Sequence, residues 1–364
     1  MKKKVLILVN HDVVIYNFRL EIVQRLLKEG YEVYISSPYG ERIDDLIELG
    51  CNYVEAKIER HGTNLIEEAK LFFYYRKIMK DIQPDIILSF TIKPNIYGGI
   101  AARISDIPYI ANITGLGSAV ENRGVLQKIS IMLYKFAFKK VSCVFFQNEE
   151  NQQFFIDNKI AIEKHRLIPG SGVNLEHFQV LEYPSNDTVE FVFISRIMKE
   201  KGIEQYLEAA RYIKEKYPKT IFHICGFCEE DYEDKLAVLQ EKGLIIYHGM
   251  LRDVRQIIER THCTIHPTYY PEGMSNVLLE SAACGRPLIT TDRSGCREIV
   301  DHNINGYLIK IKSTEDLIGK IESFLKLDYK SKIKMGIAGR KKIEKEFDRQ
   351  IVVDAYIDQI GQEI

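Results

Sequence analysis

Short, almost wholly apolar runs recur along the 364-residue chain, and each is followed by a longer amphipathic stretch. Runs of this kind predict strands that are buried on both faces, with helices between them. Parallel strands need a crossover connection of about a dozen residues, so the alternation predicts parallel sheets covered by helices on both sides. The runs are KVLILVN, YEVYISS, DIILSFT, PYIANIT and CVFFQN, then EFVFIS, TIFHIC, LIIYHG, CTIHPT, PLITT and GYLIKI.

The two sets of runs are separated by a segment that is rich in turn residues and has no helical period, PGSGVNLEHFQVLEYPSNDTVE. A chain of this length is also too long for one ordinary core. We therefore expect an α/β protein with two Rossmann-like, doubly wound parallel-sheet domains, residues 1–175 and 176–345. A C-terminal helical segment, 346–364, follows them.

Composition excludes several classes of protein. The formal net charge is -1, with 28% charged and 46% hydrophobic residues, which indicates a globular protein and argues against a nucleic-acid partner. The N-terminal apolar run stops at Asn10 and no cleavage site follows it, so it predicts a first strand and not a signal peptide. No apolar run approaches the ~20 residues that cross a bilayer. We expect a soluble or surface-attached cytoplasmic protein whose seven cysteines are reduced.

Two glutamates flank the start of a predicted helix, in the stretch YYPEGMSNVLLESAAC. Ligands of open parallel sheets bind beyond the carboxyl ends of the strands, which is where this stretch lies. With Ser275 or Asn276 as the N-cap, Glu272 lies in the loop and Glu280 in the second helical turn. The first N–H groups of the helix suit a phosphate, and Gly273 permits close approach.

We hypothesise that a diphosphate binds at this helix end, with its sugar beside Glu272 and a ribose beside Glu280. The alternative is that both carboxylates only complement the helix dipole. A second strand-end loop supplies Arg196 and Lys201, just before Gly202. An arginine fork and a lysine point charge together stabilise a departing nucleoside diphosphate, although such a pair alone is more often solvated surface.

Three segments together resemble the retaining GT-B glycosyltransferases of family 4: SRIMKEKGIEQYLEAA, IIYHGMLRDV and HPTYYPEGMSNVLLESAACGRPLITTDRSGCREIVDHNINGYLI. The resemblance covers residues 189–311 and rests on an Arg-x4-Lys-Gly loop, a Glu-x7-Glu motif and a Gly-x2-Glu-Ile-Val element, in that order. It implies two Rossmann-like domains that face a central cleft, with the nucleotide on the C-terminal domain and the acceptor largely on the N-terminal one. It also implies that the last helix crosses back to the N-terminal domain.

The resemblance implies a catalytic group of Arg196, Lys201 and Glu272, in which the two cations hold the donor diphosphate. The implied donor-binding residues are Arg196, Lys201, Gly249, Met250, Leu251, Glu272, Gly273, Met274, Ser275, Asn276, Val277, Leu278 and Glu280. The residues expected on the acceptor or sugar side are Asn10, His11, Asp12, Tyr16, Thr114 and Gly115. At Thr114 many members of the family carry a histidine.

The implied reaction moves a hexosyl or N-acetylhexosaminyl group from a nucleotide-diphosphate sugar, with UDP expected, to a saccharide acceptor. The expected acceptor is lipid-linked, in the synthesis of cell-surface polysaccharide such as capsule or lipopolysaccharide at the cytoplasmic face of the inner membrane. No Asp-x-Asp pair occurs in the sequence, so we expect no metal and no cofactor. The alternative function is a non-catalytic sugar-nucleotide-binding subunit, suggested by Thr114 and by a first loop without glycines.

Competing patterns are weaker. Cys225 and Cys228 form a C-x-x-C motif between a predicted strand and helix, but packed thiols are favoured over a redox pair. His262 and His266 lie on a predicted strand and need not converge on a metal. An NAD-dependent enzyme is disfavoured because no Gly-x-Gly-x-x-Gly motif follows the first strand.

One predicted helix, in RGVLQKISIMLYKFAFKK, mixes apolar residues and lysines and is relevant to peripheral membrane contact. Its expected buried stripe is Val125, Ile129, Met132 and Phe136. A second apolar set could rest on an anionic membrane surface beside the lysines, although core packing is the favoured interpretation. That set is Ile131, Tyr134 and Phe138, flanked by Lys128, Lys135 and Lys139.

Overall fold

The computed structural model describes residues 2–58, 65–117, 124–185 and 187–364. The chain divides into two compact units. Unit 1 is Met1–Gly172 with Arg349–Ile364, and unit 2 is Val173–Asp348. The sequence expectation placed the domain boundaries at 175/176 and 345/346.

Unit 1 is built on a seven-stranded sheet with the order β3-β2-β1-β4-β5-β6-β7, in which every pair is parallel. Its strands are β1 (Lys4–Leu8), β2 (Glu32–Ser37), β3 (Asn52–Glu55), β4 (Ile86–Phe90), β5 (Tyr109–Ile113), β6 (Cys143–Phe146) and β7 (His165–Leu167). The helices before the first unit boundary are α1 (Asp12–Phe18), α2 (Leu20–Lys28), α3 (Ile43–Glu48), α4 (Leu65–Ile82), α5 (Gly99–Ser105), α6 (Val125–Ala137) and α7 (Glu149–Asp157). A π-helical turn spans Pro94–Gly98, and 3-10 turns span Phe138–Lys140 and Ile162–Lys164.

The central strand β1 shows why the apolar runs are continuous. Leu6 and Leu8 belong to the core on one face of the sheet, whereas Val5 and Ile7 belong to the core on the other face. Successive side chains of a strand point to opposite faces, so a strand covered on both sides must be apolar throughout. The strand order reverses between β1 and β4, and ligands of doubly wound sheets bind at such a point.

Unit 2 has a six-stranded parallel sheet with the order β10-β9-β8-β11-β12-β13. Its strands are β8 (Val189–Ile194), β9 (Thr220–Cys225), β10 (Ile246–Tyr247), β11 (Cys263–His266), β12 (Leu288–Thr291) and β13 (Gly306–Ile309). Its helices are α8 (Ile203–Lys216), α9 (Glu233–Glu241), α10 (Arg255–Arg260), α11 (Asn276–Ala283), α12 (Thr314–Leu325) and α13 (Tyr329–Glu346), with a 3-10 turn at Lys199–Lys201. The predicted α/β class with two doubly wound parallel sheets is confirmed.

The last helix, α14 (Arg349–Glu363), belongs to unit 1. Val353 and Tyr356 are buried in the same core as β1, and the Asn112 side-chain amide donates to the Tyr356 hydroxyl over 2.6 Å. Arg349 Nη1 donates to Glu21 Oε2 over 2.8 Å. The apolar face of unit 1 that α14 covers is therefore completed by residues from the far end of the chain. Among the described residues, no helix is long and apolar enough to cross a membrane.

The buried stripe predicted for α6 is wrong, whereas the favoured core packing of Tyr134 and Phe138 is confirmed. The four residues expected to be buried are all exposed in the structure: Val125, Ile129, Met132 and Phe136. Tyr134 and Phe138, from the other apolar set, are buried in the unit 1 core beside Phe155. The helix carries two apolar stripes, and residue spacing does not tell which stripe faces the sheet. Arg123, at the start of the quoted segment, lies outside the described residues.

Candidate active site

The two basic residues and the first glutamate of the predicted site come together in unit 2. Strands β8 and β11 are neighbours in the sheet, so the loops at their carboxyl ends lie side by side. The first loop carries Arg196 and Lys201, and the second carries Glu272. The Lys201 ammonium is bonded to Glu272 Oε1, and both side chains are largely buried. The structure thus pairs directly two groups that the sequence assigned to different parts of the donor.

Backbone contacts fix the relative position of these two loops. The Glu200 carbonyl, in the 3-10 turn, accepts hydrogen bonds from the backbone N–H groups of Tyr269 (2.8 Å) and Tyr270 (2.9 Å). Gly202 follows the turn with φ +82°, and a Cβ there would lie 2.2 Å from the Pro267 carbonyl oxygen. Only glycine fits this positive φ and this close approach, which explains the Lys-Gly step of the motif.

The Tyr270 ring lies beside both cations. Lys201 Nζ is 4.6 Å from the ring centroid, and the Arg196 guanidinium carbon is 5.3 Å from it. Arg196 Nη1 also pairs with Glu229 Oε2 over 3.2 Å. A ring face attracts cations and holds them without neutralising their charge. Tyr270 and Glu229 were not predicted, since nothing in the sequence marks an aromatic ring or a distant loop carboxylate as the partner of a given cation.

The charge state of Glu272 follows from its neighbours. Burial by itself raises the pKa of the carboxyl, but the Lys201 charge and the nearby His266 ring outweigh it and lower the pKa to about 2. His266 Nε2 lies 3.7 Å from Glu272 Oε1, and burial lowers the pKa of that imidazole. Glu272 is therefore a carboxylate at neutral pH. It can accept hydrogen bonds from hydroxyl groups, but it cannot act as a general acid.

Helix α11 begins where the sequence predicted. Ser275 is the N-cap residue, and within the described part of the chain its side chain makes no capping hydrogen bond. Its backbone N–H instead donates to the Gly295 carbonyl over 2.8 Å. Glu280 lies in the second turn of the helix, as expected, and its side chain is partly exposed.

The Gly-x2-Glu element supports this helix end from a neighbouring loop. Glu298 accepts hydrogen bonds from the Gly295 N–H (2.8 Å) and from the Ser294 hydroxyl (3.1 Å). Gly295 has φ +85°, and a Cβ there would lie 2.8 Å from the Glu272 Cβ. The motif therefore holds a glycine backbone tightly against the loop that carries Glu272.

The other predicted donor residues lie on the same two loops or on a third. Gly273 and Met274 continue the Glu272 loop, and Val277 and Leu278 occupy the first turn of α11. The segment from Gly249 to Leu251 follows β10, and the Gly249 carbonyl accepts the Gly226 N–H over 2.8 Å. Met250 is 75% exposed, so its side chain is accessible to a planar base.

The predicted acceptor residues in the first loop of unit 1 have differing environments. His11 is exposed and caps α1, because its Nδ1 accepts the Val13 N–H over 3.3 Å. Asp12 is buried, and its Oδ2 accepts the Arg42 N–H over 2.7 Å. The Arg42 guanidinium lies 3.8 Å from the centroid of the Tyr16 ring. Asn10 is half-buried, two residues after the end of β1. The Asp12 carboxylate is thus used in holding the loop after β2.

The remaining acceptor-side residues lie along the same sheet edge. Thr114 and Gly115 are half-buried and follow β5, and the next residues, 118–123, are outside the described part of the chain. No residue of the loop after β4 was among the predicted site residues. There Thr91 has φ +74°, which is unusual for a β-branched residue, and Lys93 pairs with Glu68 over 2.6 Å. Its position after a predicted strand was a signal for Lys93, whereas nothing in the sequence indicates the backbone strain at Thr91.

The cysteine pair and the histidine pair considered as alternative sites have different surroundings. Burial raises the pKa of the Cys225 thiol to about 12, which disfavours thiolate chemistry at the C-x-x-C pair. Cys228 Sγ lies 3.7 Å from the Tyr247 hydroxyl. His262 Nδ1 accepts the Glu190 N–H over 3.1 Å, whereas His266 lies beside Glu272. The two histidines therefore contact different groups.

Two family models match the chain. The model described as Glycosyl transferase 4-like matches residues 4–148, and the model described as Glycosyl transferases group 1 matches residues 176–342. The sheets and the strand-end loops described above lie within these two matches. The chain belongs to these glycosyltransferase families and is a glycosyltransferase.

Similar proteins have related names. The chain is 27% identical, over 94% of each sequence, to N,N'-diacetylbacillosaminyl-diphospho-undecaprenol alpha-1,3-N-acetylgalactosaminyltransferase of Campylobacter jejuni. It is 24% identical to UDP-Gal:alpha-D-GlcNAc-diphosphoundecaprenol alpha-1,3-galactosyltransferase of Escherichia coli, over 82% of the chain and 81% of that protein. Among solved structures, Anabaena HepE in complex with UDP and glucose matches with a TM-score of 0.81 and 18% identity over all of both chains. The match confirms the predicted GT-B fold.

Proposed function

We propose that this protein transfers a hexosyl or N-acetylhexosaminyl group, with retention of configuration, from a UDP-sugar to a lipid-linked saccharide acceptor in cell-surface polysaccharide synthesis. The observation that supports this most directly is the grouping of Arg196, Lys201 and Glu272 beside the N-terminus of α11. Two cations and a helix end provide the charge that a diphosphate needs, and the adjacent carboxylate provides an acceptor for sugar hydroxyl groups.

The donor diphosphate is assigned to Arg196, Lys201 and the first N–H groups of α11. Both cations are partly or fully buried, so their interaction with phosphate is weakly screened. As the bond from the sugar C1 to the phosphate oxygen breaks, negative charge grows on the leaving diphosphate. Fixed cations stabilise that charge more in the transition state than in the ground state, which is what accelerates the reaction.

Retention requires that the acceptor oxygen bonds to C1 on the face from which the diphosphate leaves. In the proposed step, the proton of the acceptor hydroxyl passes to the leaving phosphate oxygen as the new bond forms. Glu272 is ionised and paired with Lys201, so we assign it to the donor sugar hydroxyl groups and to the position of the lysine. Glu280, in the second turn of α11, is assigned to the ribose.

The acceptor is proposed from the names of two relatives, both of which are enzymes acting on saccharides linked to diphospho-undecaprenol. We assign the acceptor to the carboxyl edge of the unit 1 sheet, where exposed or half-buried polar groups follow β1 and β5. The proposed setting is the cytoplasmic face of the membrane that carries the lipid. We further propose that Arg196, Lys201 and the helix end meet the diphosphate charge without a metal ion.

The function is tested by incubating the purified chain with UDP-hexoses and UDP-N-acetylhexosamines, each with a polyprenyl-diphosphate-linked saccharide. Mass spectrometry identifies the extended acceptor, and NMR of the new linkage gives its anomeric configuration. Transfer with retention, unchanged in excess chelator, is the expected result. An inverted product would exclude the proposed route, and activity that chelator abolishes and magnesium restores would contradict the absence of a metal. Donor binding without transfer to any acceptor would favour a binding subunit.

A further inference from the structure

The outward face of α6 carries an apolar stripe. Met132 and Val125 are 62% and 73% exposed. The stripe consists of Val125, Leu126, Ile129, Met132 and Phe136. Apart from Leu126, these residues recur at helical spacing, so they form one continuous surface. The opposite face of α6 is already packed in the unit 1 core through Tyr134 and Ala137, so the stripe is not needed to bury the helix.

Positive charge borders this stripe. The segment from residue 124 to residue 142 contains four lysines and no aspartate or glutamate. Those lysines are all exposed: Lys128, Lys135, Lys139 and Lys140. Lys140 pairs with Asp106 over 2.8 Å, so the charge beside the stripe comes mainly from the other three. Lys128 and Lys135 lie four residues before and three residues after Met132, so they run along one side of the stripe. The Arg103 guanidinium lies 3.8 Å from the Phe136 ring centroid, which adds a fifth cation at the C-terminal end.

A second copy of the chain is a poor partner for this surface. Two such faces brought together about a twofold axis would juxtapose their lysine rows, and the segment offers no carboxylate to pair with them. Anionic lipid suits the surface better, because its phosphates meet the lysines while its acyl boundary receives the apolar stripe. The 13-residue helix is about 20 Å long, so it suits an orientation in the plane of the bilayer surface.

We propose that α6 docks on the surface of an anionic lipid bilayer. Val125, Ile129, Met132 and Phe136 enter the headgroup region, and Lys128, Lys135 and Lys139 bind lipid phosphates. The inference rests on the proposed function in one respect, since a lipid-linked acceptor presents its saccharide at such a surface. Docking would keep unit 1 at the bilayer surface after one lipid-linked acceptor leaves and until the next one arrives.

The test is co-flotation of the full chain with vesicles of phosphatidylethanolamine and phosphatidylglycerol, compared with vesicles of phosphatidylcholine alone. We expect the wild-type chain to float with the anionic vesicles and to be released by salt. The variant Ile129→Ser/Met132→Ser should bind at least about tenfold less, because it removes two anchors from the headgroup region. Its matched control is Ile47→Ser, which removes an exposed apolar residue from α3, beside the opposite part of the sheet.

The charge component is tested with Lys128→Gln/Lys135→Gln, which should weaken binding and flatten its salt dependence. The control Lys28→Gln/Lys57→Gln removes the same charge from exposed positions elsewhere in unit 1 and should bind normally. Failure of the wild-type chain to float, or equal losses in the controls and the α6 variants, would overturn the proposal. So would a dimer on size-exclusion chromatography that Ile129→Ser/Met132→Ser converts to monomer without any change in vesicle binding.

Sugar transfer to a short-chain, water-soluble acceptor separates this inference from the proposed function. All four variants should retain wild-type transfer in that assay, since none alters a residue of the candidate active site. Transfer without flotation would refute docking alone. Flotation without transfer to any acceptor would refute the proposed function alone.

Discussion

The strand-end loops of the two units hold charge in different ways. In unit 2 the lysine and the carboxylate are both largely buried and bonded to each other, and backbone contacts fix their loops. In unit 1 the corresponding edge presents an exposed histidine and half-buried polar groups, while the buried Asp12 is occupied by a backbone N–H. Buried, fixed charge suits the diphosphate that we assign to unit 2, whereas exposed polar groups suit the saccharide acceptor that we assign to unit 1.

The largest expected effect tests the buried charge of unit 2. Lys201→Met keeps most of the side-chain volume but removes the cation that we assign to the leaving diphosphate. We expect kcat/KM for the donor to fall about 10²–10³-fold, the size seen when one group that stabilises a developing anion is removed. Steady-state kinetics with a fixed acceptor measures it. Lys199→Met, at an exposed position in the same 3-10 turn, is the control and should retain near wild-type activity. Equal activity of both variants would remove Lys201 from the mechanism.

The second prediction concerns the coupling between Lys201 and Glu272. Glu272→Gln should lower activity strongly by itself, because it leaves a buried ammonium without its carboxylate and weakens the contact that we propose with the donor sugar. If the two residues act as one unit, the double variant should be only slightly less active than either single variant. The expected coupling in a double-mutant cycle of kcat/KM is therefore close to the loss caused by one substitution, about 3 kcal/mol. Simple additivity would mean that the ion pair is incidental to catalysis.

The sequence predicts the buried strands of the two sheets better than the less buried strands at their edges. Strands covered on both faces were identified from their apolar runs, but β3 and β7 were missed because these short edge strands carry few apolar residues. The stripe Val125, Ile129, Met132 and Phe136 was wrongly expected to be buried, because two apolar stripes compete on one helix and only tertiary packing chooses between them.

The three central residues of the candidate site were predicted to come together, but the residues that contact them were not. The meeting of Arg196, Lys201 and Glu272 follows from motif order and from the rule that parallel strands end at one edge. Their partners Tyr270, Glu229 and His266 depend on side-chain geometry across loops, which no spacing along the chain encodes.

The third prediction uses acid stability to test whether the pair is bonded as described. The pKa of Glu272 is lowered from 4.5 to about 2, so its ionised form stabilises the fold above pH 4.5. That stabilisation is lost as the pH falls from 4.5 towards 2, because the unfolded carboxyl takes up its proton first. Urea unfolding at about pH 6 and pH 3 should show the folding constant of the wild type falling roughly thirtyfold more than that of Glu272→Gln. Parallel losses would indicate a solvated, unperturbed carboxyl.

The smallest expected effect addresses unit 1 and separates two roles of His11. Its ring caps α1, so His11→Ala should lose about 1 kcal/mol of stability through the missing cap. Asparagine is a good N-cap residue but lacks the imidazole, so His11→Asn should keep that stability. If the ring also contacts the acceptor, both variants should raise the acceptor KM about three- to tenfold, with the donor KM unchanged. Recovery of the acceptor KM in His11→Asn would make the residue a cap alone, and the acceptor site would then have to be sought in the loops after β4 and β5. A change in donor KM would instead contradict the assignment of the donor to unit 2 and the acceptor to unit 1. An exposed residue of unit 1 would then be acting on the ligand assigned to unit 2.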